Sequence, residues 1–269
     1  MSGSAPPPGT ARGTTDLMLE GRRIEYAAYG AGARSTVFAH GLGDTMAQLL
    51  PLSGKITGRR VFFHFGGHGR SQAAAGPLRY ARLANELRGV AEHTGATRAV
   101  GLSMGAGAVL TALHEQPHLF HRAVLMLPAT LDHRGADRPY LWFADLAEEV
   151  ERGDVPAAAA LLRRICPPLP ESDTRAWCLS RAEVLVAEEF ATRLREVGAI
   201  YPVSDRQALA RVTAPVLVVA HRGDLAHSVD TAEQLAGHLS DARLLVLDRM
   251  SLFTSGRARV REALAEFLN

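Results

Sequence analysis

The chain has 269 residues, 47% of them hydrophobic, and its 30 basic and 28 acidic side chains leave a formal net charge of +2. This length and apolar content predict one well-buried domain with at most a small insertion. Because charges of both signs are scattered and nearly equal in number, the composition excludes the basic patch that nucleic-acid and anionic-membrane binding requires.

Residues 1–15 are rich in Pro, Gly, Ser and Thr and lack the apolar core of a signal peptide, so we predict a flexible tail on a cytoplasmic protein. No apolar run is long enough to span a bilayer, and we expect no membrane partner. Cys166 and Cys178 lack a secretory context, which predicts free thiols. Cys and His do not cluster at metal-ligand spacing, so no metal site is predicted.

After the tail, strand-like and helix-like segments alternate along most of the chain. A hairpin turning at Glu20 and Gly21 comes first. Short β-branched or aliphatic runs then predict six further strands, at residues 35–40, 60–64, 98–102, 123–127, 215–220 and 242–247. This alternation predicts an α/β fold with a mostly parallel, eight-stranded sheet flanked by helices.

Residues 128–212 interrupt this alternation, because they contain helix-period runs but no good strand pattern. An all-helical insertion between two strands of a sheet is the arrangement expected of a lid over an active site. We therefore predict a core made of residues 16–127 and 213–269, with a helical lid at 128–212 after the sixth strand. We predict that Trp142, an aromatic residue of this lid, lines the pocket of the active site.

The strongest motif is "VGLSMGAG" at residues 100–107, which contains G-x-S-x-G directly after a predicted strand and directly before a predicted helix. A serine on such a turn has strained backbone geometry, and side chains two residues before and after it would clash. Gly101 and Gly105 meet that requirement. The turn presents the Ser103 hydroxyl at the carboxyl end of the sheet, where open α/β sheets bind ligands. We predict that Ser103 is a nucleophile; the alternative is a glycine-rich helix start packed closely on the sheet.

Two further stretches, "AHGLGD" at residues 39–44 and "GGHGRS" at residues 66–71, resemble loops of the α/β-hydrolase superfamily. With the serine motif, the likeness covers roughly residue 17 to the C-terminus. In that superfamily the backbone N–H after the serine and one from the loop after the third strand bind the oxyanion. The resemblance therefore implies an oxyanion hole formed by the amides of Leu42 and Met104.

The same resemblance assigns His40, Gly41 and His64 to the pocket. Gly41 lets the oxyanion loop approach closely, and His40 is expected to be a buried structural partner of that loop. His64 stands where the usual Asp-x-Arg pattern of the superfamily is replaced by "HFG". We interpret it as a core histidine near the pocket floor.

The catalytic acid of the superfamily follows the seventh strand, and "VLVVAHRGD" brings Asp224 to that place. A carboxylate there would orient and stabilise an imidazolium. Asp132, after the sixth predicted strand, is the second choice, because some relatives draw their acid from that position.

The pattern breaks where the superfamily carries its histidine. When Phe253 is aligned with the phenylalanine of the usual "GxGHF"-like loop, Leu252 occupies the histidine position, at the edge of the expected pocket. Leucine can neither accept nor deliver a proton. No histidine follows His238, so none further along the chain can fill the place.

We predict that His227, three residues beyond Asp224 on the same loop, replaces the missing base. The alternative for His227 is a surface histidine that caps the helix predicted to start near Val229. His133 and His64 are the reserve candidates for the base.

The resulting expectation is a serine hydrolase or acyl-transfer enzyme that acts on a small apolar ester, thioester or lactone. Two other hypotheses remain open: a non-hydrolytic enzyme, such as a cyclase or lyase, that uses the same pocket, and a catalytically inactive binding protein. No cofactor is predicted, because the chain lacks a phosphate-binding loop and a dinucleotide fingerprint in the right context. The expected partner is a small-molecule substrate, and the sequence indicates no oligomeric state.

Overall fold

The computed structural model describes residues 13–132, 141–166, 169–187, 189–248 and 252–269. Within these ranges, eight strands form one sheet. The strands are β1 (Thr15–Leu19), β2 (Arg22–Tyr29), β3 (Ser35–Ala39), β4 (Arg59–Phe63), β5 (Arg98–Leu102), β6 (Arg122–Met126), β7 (Val216–His221) and β8 (Ala242–Leu247). Each of the six strands after the hairpin begins and ends within one residue of its predicted position.

The order of the strands across the sheet is β1-β2-β4-β3-β5-β6-β7-β8. β2 pairs antiparallel with both β1 and β4, whereas every pair from β4 to β8 is parallel. This confirms the predicted mostly parallel sheet. Because parallel strands end at the same edge, the loops after β3, β5 and β7 emerge together there.

The described helices alternate with the strands in the core and follow one another between β6 and β7. They are α1 (Leu50–Ser53), α2 (Tyr80–Thr94), α3 (Met104–Glu115), α4 (Leu141–Arg152), α5 (Val155–Leu162), α6 (Glu171–Ala187), α7 (Ala191–Val197), α8 (Val229–His238) and α9 (Arg257–Leu268). Two short 3₁₀ helices lie at Met46–Leu49 and Arg206–Arg211. None of the helices in the described ranges combines the length and the apolar character that crossing a bilayer requires.

The sheet separates two hydrophobic layers. Alternate strand residues face opposite sides, so Val37 and Ala39 pack under α2, α3 and α8, while Phe38 packs on the opposite side with α1 and α9. Strands that are buried on both faces consist of continuous apolar runs, which explains why β6 and β7 are recognisable in the sequence.

The helices between β6 and β7 have a hydrophobic cluster of their own, which includes Leu146, Leu162 and Phe190. No strand occurs in the described part of residues 128–212. Hydrogen bonds attach these helices to the core, among them one from Arg193 Nη1 to the Gly66 carbonyl oxygen, at 2.8 Å. α6 begins at Glu171, inside the "PPLPESD" stretch whose prolines suggest only a break between helices.

Candidate active site

Ser103 occupies a strained turn between β5 and α3. Its backbone angles, φ 51° and ψ −111°, lie in a region that residues other than glycine rarely adopt. A Cβ atom added to Gly101 would lie 2.4 Å from the Gly105 carbonyl oxygen, and one added to Gly105 would lie 2.2 Å from the Ala39 carbonyl oxygen. Both positions therefore require glycine, in agreement with the steric argument from the motif.

Ser103, His227 and Asp224 form a continuous chain of hydrogen bonds. Ser103 Oγ and His227 Nε2 are 2.8 Å apart, and His227 Nδ1 lies 2.8 Å from Asp224 Oδ2. Because a carboxylate only accepts, His227 Nδ1 donates to Asp224, so in the neutral form of the ring Nε2 carries the lone pair that faces the serine hydroxyl. This is the tautomer that a general base needs.

The turn after β7 holds the Asp224 carboxylate in place. Its Oδ1 accepts hydrogen bonds from the backbone amides of Ala226, at 2.8 Å, and His227, at 3.1 Å. Burial alone would raise the pKa of this carboxyl, but the adjacent His227 imidazole and these hydrogen bonds hold the pKa below its ordinary value. Asp224 is therefore ionised at neutral pH and able to stabilise an imidazolium.

The helix that follows, α8, is capped by Ser228 rather than by His227. The Ser228 hydroxyl accepts a hydrogen bond from the Thr231 amide, at 3.0 Å. The side chain of His227 is only 16% exposed and contacts the serine. Its interpretation as a surface helix cap is therefore wrong.

The amides of Leu42 and Met104 are the predicted oxyanion donors. Met104 is the first residue of α3, so its N–H has no acceptor within the helix. Leu42 lies in the loop after β3, next to Gly43, whose φ is 62°. In the described part of the chain neither amide donates a hydrogen bond to a protein acceptor. Both residues line the same cavity as Ser103.

That cavity has a volume of about 360 Å³, within the range of small-molecule sites. Much of its wall is apolar and comes from the helices between β6 and β7, through Phe143, Leu146, Leu162, Trp177, Leu185 and Leu194. Besides Ser103, Asp224 and His227, the charged or polar side chains in the described lining are those of Asp44, Gln48, Tyr80, Arg181 and His221.

A scan against protein-family models finds no match, and a search of curated proteins finds no similar sequence. Solved structures do match. The enol-lactonase from Burkholderia xenovorans LB400 has a TM-score of 0.78 at 22% identity, with 94% of this chain and 99% of that chain covered. The esterase EaEST from Exiguobacterium antarcticum has a TM-score of 0.76 at 18% identity, covering 94% and 98%. MGS-M2, an alpha/beta hydrolase enzyme from a Medee basin deep-sea metagenome library, has 0.77 at 17%, covering 94% and 97%.

This chain has the α/β-hydrolase fold. The prediction of that fold from the serine motif, the two upstream loops and the strand pattern is confirmed.

Two histidines assigned to the pocket lie instead in the interior of the α/β-hydrolase fold, and neither lines the cavity. His40 Nδ1 donates to the Gly41 carbonyl oxygen, at 2.7 Å, and its Nε2 accepts from the Phe65 amide. Burial lowers the pKa of His40 to about 3, so the ring is neutral. His64 Nδ1 lies 2.9 Å from Glu25 Oε2, and its Nε2 accepts from a backbone amide. The pocket assignment of both is wrong, because each ring is engaged in joining loops. These contacts agree with the expected roles of His40 as a buried structural partner of its loop and of His64 as a core histidine.

The assignment of Leu252 to the pocket is also wrong. Leu252 is 1% exposed and belongs to the hydrophobic layer between the sheet and α9, while its neighbour Phe253 lines the cavity. Gly41 does line the cavity, as predicted. The side chain of Trp142 lies outside the part of the chain that the structure describes.

Asp132, the second choice for the acid, has another role. It forms an ion pair with Arg206 through two contacts, at 2.6 and 3.1 Å. The carboxylate that contacts His227 is that of Asp224. His133, a reserve candidate for the base, lies outside the described residues.

Sequence reasoning missed five polar residues of the cavity: Asp44, Gln48, Tyr80, Arg181 and His221. Asp44 ends the "AHGLGD" motif, so its charge was a usable signal. His221 ends β7, where its Nε2 lies 3.6 Å from Asp224 Oδ2. Arg181 carries no local signal, because an arginine on a polar helix is ordinary. Among the described residues, no group of His, Cys, Asp and Glu side chains is placed to hold a metal ion.

Proposed function

We propose that this chain is a serine hydrolase that cleaves small, apolar carboxylic esters, thioesters or lactones. Ser103 is the nucleophile, His227 is the general base and then the general acid, and Asp224 orients His227. The observation that carries the proposal is the 2.8 Å contact between Ser103 Oγ and His227 Nε2. It supplies a base within transfer distance of the hydroxyl proton, which Leu252 cannot do.

In the first half of the reaction, Ser103 Oγ attacks the carbonyl carbon while its proton passes to His227 Nε2. The N–H groups of Leu42 and Met104 stabilise the oxyanion of the tetrahedral intermediate. The imidazolium then protonates the departing alkoxide or thiolate, which leaves an acyl-serine. Water attacks this ester while His227 takes its proton, and collapse of the second intermediate releases the acid and restores the serine hydroxyl.

The position of the base along the chain does not matter to this chemistry, provided that the atoms meet. Here the acid and the base belong to one turn after β7. Asp224 accepts hydrogen bonds from both the backbone N–H and the ring of His227, so the turn itself fixes the orientation of the imidazole. The loop after β8 therefore need not contribute a catalytic side chain.

The cavity supports an uncharged, apolar substrate. Its described wall is largely aliphatic and aromatic, and Asp44 and Arg181 bring opposite charges that offset each other. An enol-lactonase and an esterase are among the proteins whose fold this chain shares, which agrees with lactone or ester hydrolysis. We also propose that residues 128–212 form a lid, because α4 to α7 supply side chains that cover Ser103.

A fluorophosphonate probe tests the proposal, because it phosphonylates an activated serine. We expect the folded wild type to be labelled on Ser103 and to hydrolyse short-chain p-nitrophenyl esters. Absence of both, in a protein that still binds small apolar ligands, would contradict the proposal and favour a non-hydrolytic enzyme or a binding protein.

Three variants locate the chemistry. Ser103→Ala removes the nucleophile, and His227→Ala removes the base, which costs about 10³-fold or more in hydrolysis rate. His118→Ala is the matched control, because His118 is exposed and lies outside the cavity lining. If His227→Ala kept wild-type labelling and hydrolysis, another group would be the base.

A further inference from the structure

Arg181 reaches from α6 to the loop that carries the Leu42 amide. Its Nη2 donates a hydrogen bond of 2.7 Å to the Leu42 carbonyl oxygen, and its Nη1 donates to the Asp44 carboxylate. One guanidinium therefore bonds both ends of the segment 42–44. The planar, forked geometry of arginine suits this kind of double contact, whereas a lysine ammonium is a single point of charge.

The Asp44–Arg181 pair is enclosed by the cavity wall. The side chain of Asp44 is 9% exposed and that of Arg181 is 22% exposed. The side-chain amide of Gln48 faces the same carboxylate. Burial raises the pKa of Asp44, and the positive charge of Arg181 opposes that rise. For an ion pair so enclosed, desolvation offsets much of the attraction, so the pair contributes defined geometry more than stability.

The loop also lies directly against α6. A Cβ atom added to Gly43 would lie 2.8 Å from Leu185 Cδ2, and the φ of 62° at Gly43 is one that residues with a side chain rarely adopt. Leu185 is one helical turn beyond Arg181 on α6. The helix therefore contacts the loop through apolar packing at Gly43 and through hydrogen bonds on either side of it.

We propose that Arg181 is a positioning residue for the oxyanion hole, because it clamps segment 42–44 to α6 and thereby fixes the direction of the Leu42 N–H. The inference rests on the proposed hydrolase function and deepens it: an insertion helix helps to bind the transition state. Arg181 acts through the loop and not on the reacting atoms.

This role predicts which kinetic constant changes. The oxyanion exists in the tetrahedral intermediate and not in the bound substrate, so a misdirected Leu42 N–H weakens binding of the transition state alone. Removal of one oxyanion donor costs about 10²–10³-fold in kcat, and a displacement of about 1 Å costs about 10²-fold. We therefore expect Arg181→Met to lower kcat by about 10²-fold and to leave KM within a few-fold of the wild type.

Direct recognition of an anionic substrate by Arg181 is the competing role, and the same kinetics distinguish it. A substrate-binding arginine would raise KM with kcat unchanged. In the structure its two terminal nitrogens already donate to Leu42 and Asp44, which favours the positioning role.

The experiment compares four proteins: the wild type, Arg181→Met, the double variant Asp44→Asn with Arg181→Met, and Arg175→Met. Arg181→Met leaves the buried Asp44 carboxylate without its ion-pair partner, which could prevent folding. The double variant removes both charges, so it tests the same role of Arg181 without that charge. Arg175 is an exposed arginine on the same helix and serves as the matched control. Thermal unfolding confirms that each protein is folded before kcat and KM are measured on an uncharged p-nitrophenyl ester.

A binding measurement separates positioning from general damage. A trifluoromethyl ketone forms a hemiketal oxyanion with the serine, whereas the corresponding alcohol does not. We expect the inhibition constant of the ketone to rise about 10²-fold in both Arg181 variants and that of the alcohol to stay unchanged.

The outcomes are distinct. An active wild type whose kcat and ketone affinity survive in both Arg181 variants, or whose KM alone changes, would overturn this inference and leave the hydrolase proposal intact. A folded wild type that neither hydrolyses esters nor reacts with the fluorophosphonate would overturn the proposed function and, with it, the role of Arg181.

Discussion

Replacement of Leu252 by histidine places an imidazole where the superfamily usually has one. If the site lacked a base, this change would restore activity. In the structure, however, Leu252 is buried in the hydrophobic layer with Leu247, Val260 and Leu264, and it does not line the cavity. We therefore expect Leu252→His to damage the core and to give no large gain in ester hydrolysis.

The magnitude follows from the burial of Leu252. Loss of a fully buried leucine side chain costs about 1.5–3 kcal/mol in transfer free energy. Enclosing an imidazole without hydrogen-bond partners adds about 1–3 kcal/mol. The sum, about 2.5–6 kcal/mol, is a large part of the stability of a typical domain, and it corresponds to a decrease in Tm of about 5–20 °C.

The assay measures Tm by circular dichroism and kcat/KM on a short-chain ester, below the unfolding transition. Leu252→Asn is the matched control, because it buries a polar group that cannot act as a base, and Leu252→Met preserves volume and apolar character. A stable Leu252→His variant that hydrolyses esters far faster than both the wild type and Leu252→Asn would refute this reasoning. It would show that position 252 reaches Ser103 and that His227 is an ineffective base.

Three further predictions concern the acid, the serine turn and a buried carboxylate. Asp224→Asn should lower kcat by about 10³–10⁴-fold, because the amide can donate toward His227 Nδ1 and favour the wrong tautomer, whereas Tm changes much less than kcat. Gly105→Ala brings a Cβ atom to 2.2 Å from the Ala39 carbonyl oxygen, so α3 must shift; we expect a loss of about 1–3 kcal/mol in urea unfolding and loss of fluorophosphonate labelling. Burial alone would raise the pKa of Glu25, but its hydrogen-bond donors lower it from 4.5 to about 2. Glu25→Gln should therefore destabilise the fold fully above pH 4.5 and progressively less as the pH falls toward 2, which unfolding titrations at several pH values can check; an effect that does not change with pH would contradict it.

Local patterns in the sequence predicted much of the fold and part of the site. Strand β5, the two glycines and the helix start of α3 stand within one short stretch, so the strained turn at Ser103 could be anticipated from steric rules alone. The acid and the base are three residues apart on one turn, and such a short separation keeps two side chains near each other in many conformations. The assignments that failed, His40, His64 and Leu252, needed knowledge of which side of a loop faces the cavity.

What the sequence by itself determined is therefore everything encoded at short range: the α/β alternation, the serine turn and a loop that offers both a carboxylate and an imidazole. Only the tertiary structure decided that the imidazole meets a hydroxyl 124 residues earlier in the chain. The reason is the order of the strands in the sheet. Only β6 lies between β5 and β7, so the ends of β5 and β7 are about 10 Å apart, a distance that a serine and a histidine side chain can bridge.

The Arg181 contact is of the same kind, because it joins residues 139 apart in sequence. Nothing in α6 marks that arginine, and the packing of the insertion against the loop after β3 brings the two together. Contacts at such separations depend on how whole elements pack, and a pattern read along the chain does not contain that information.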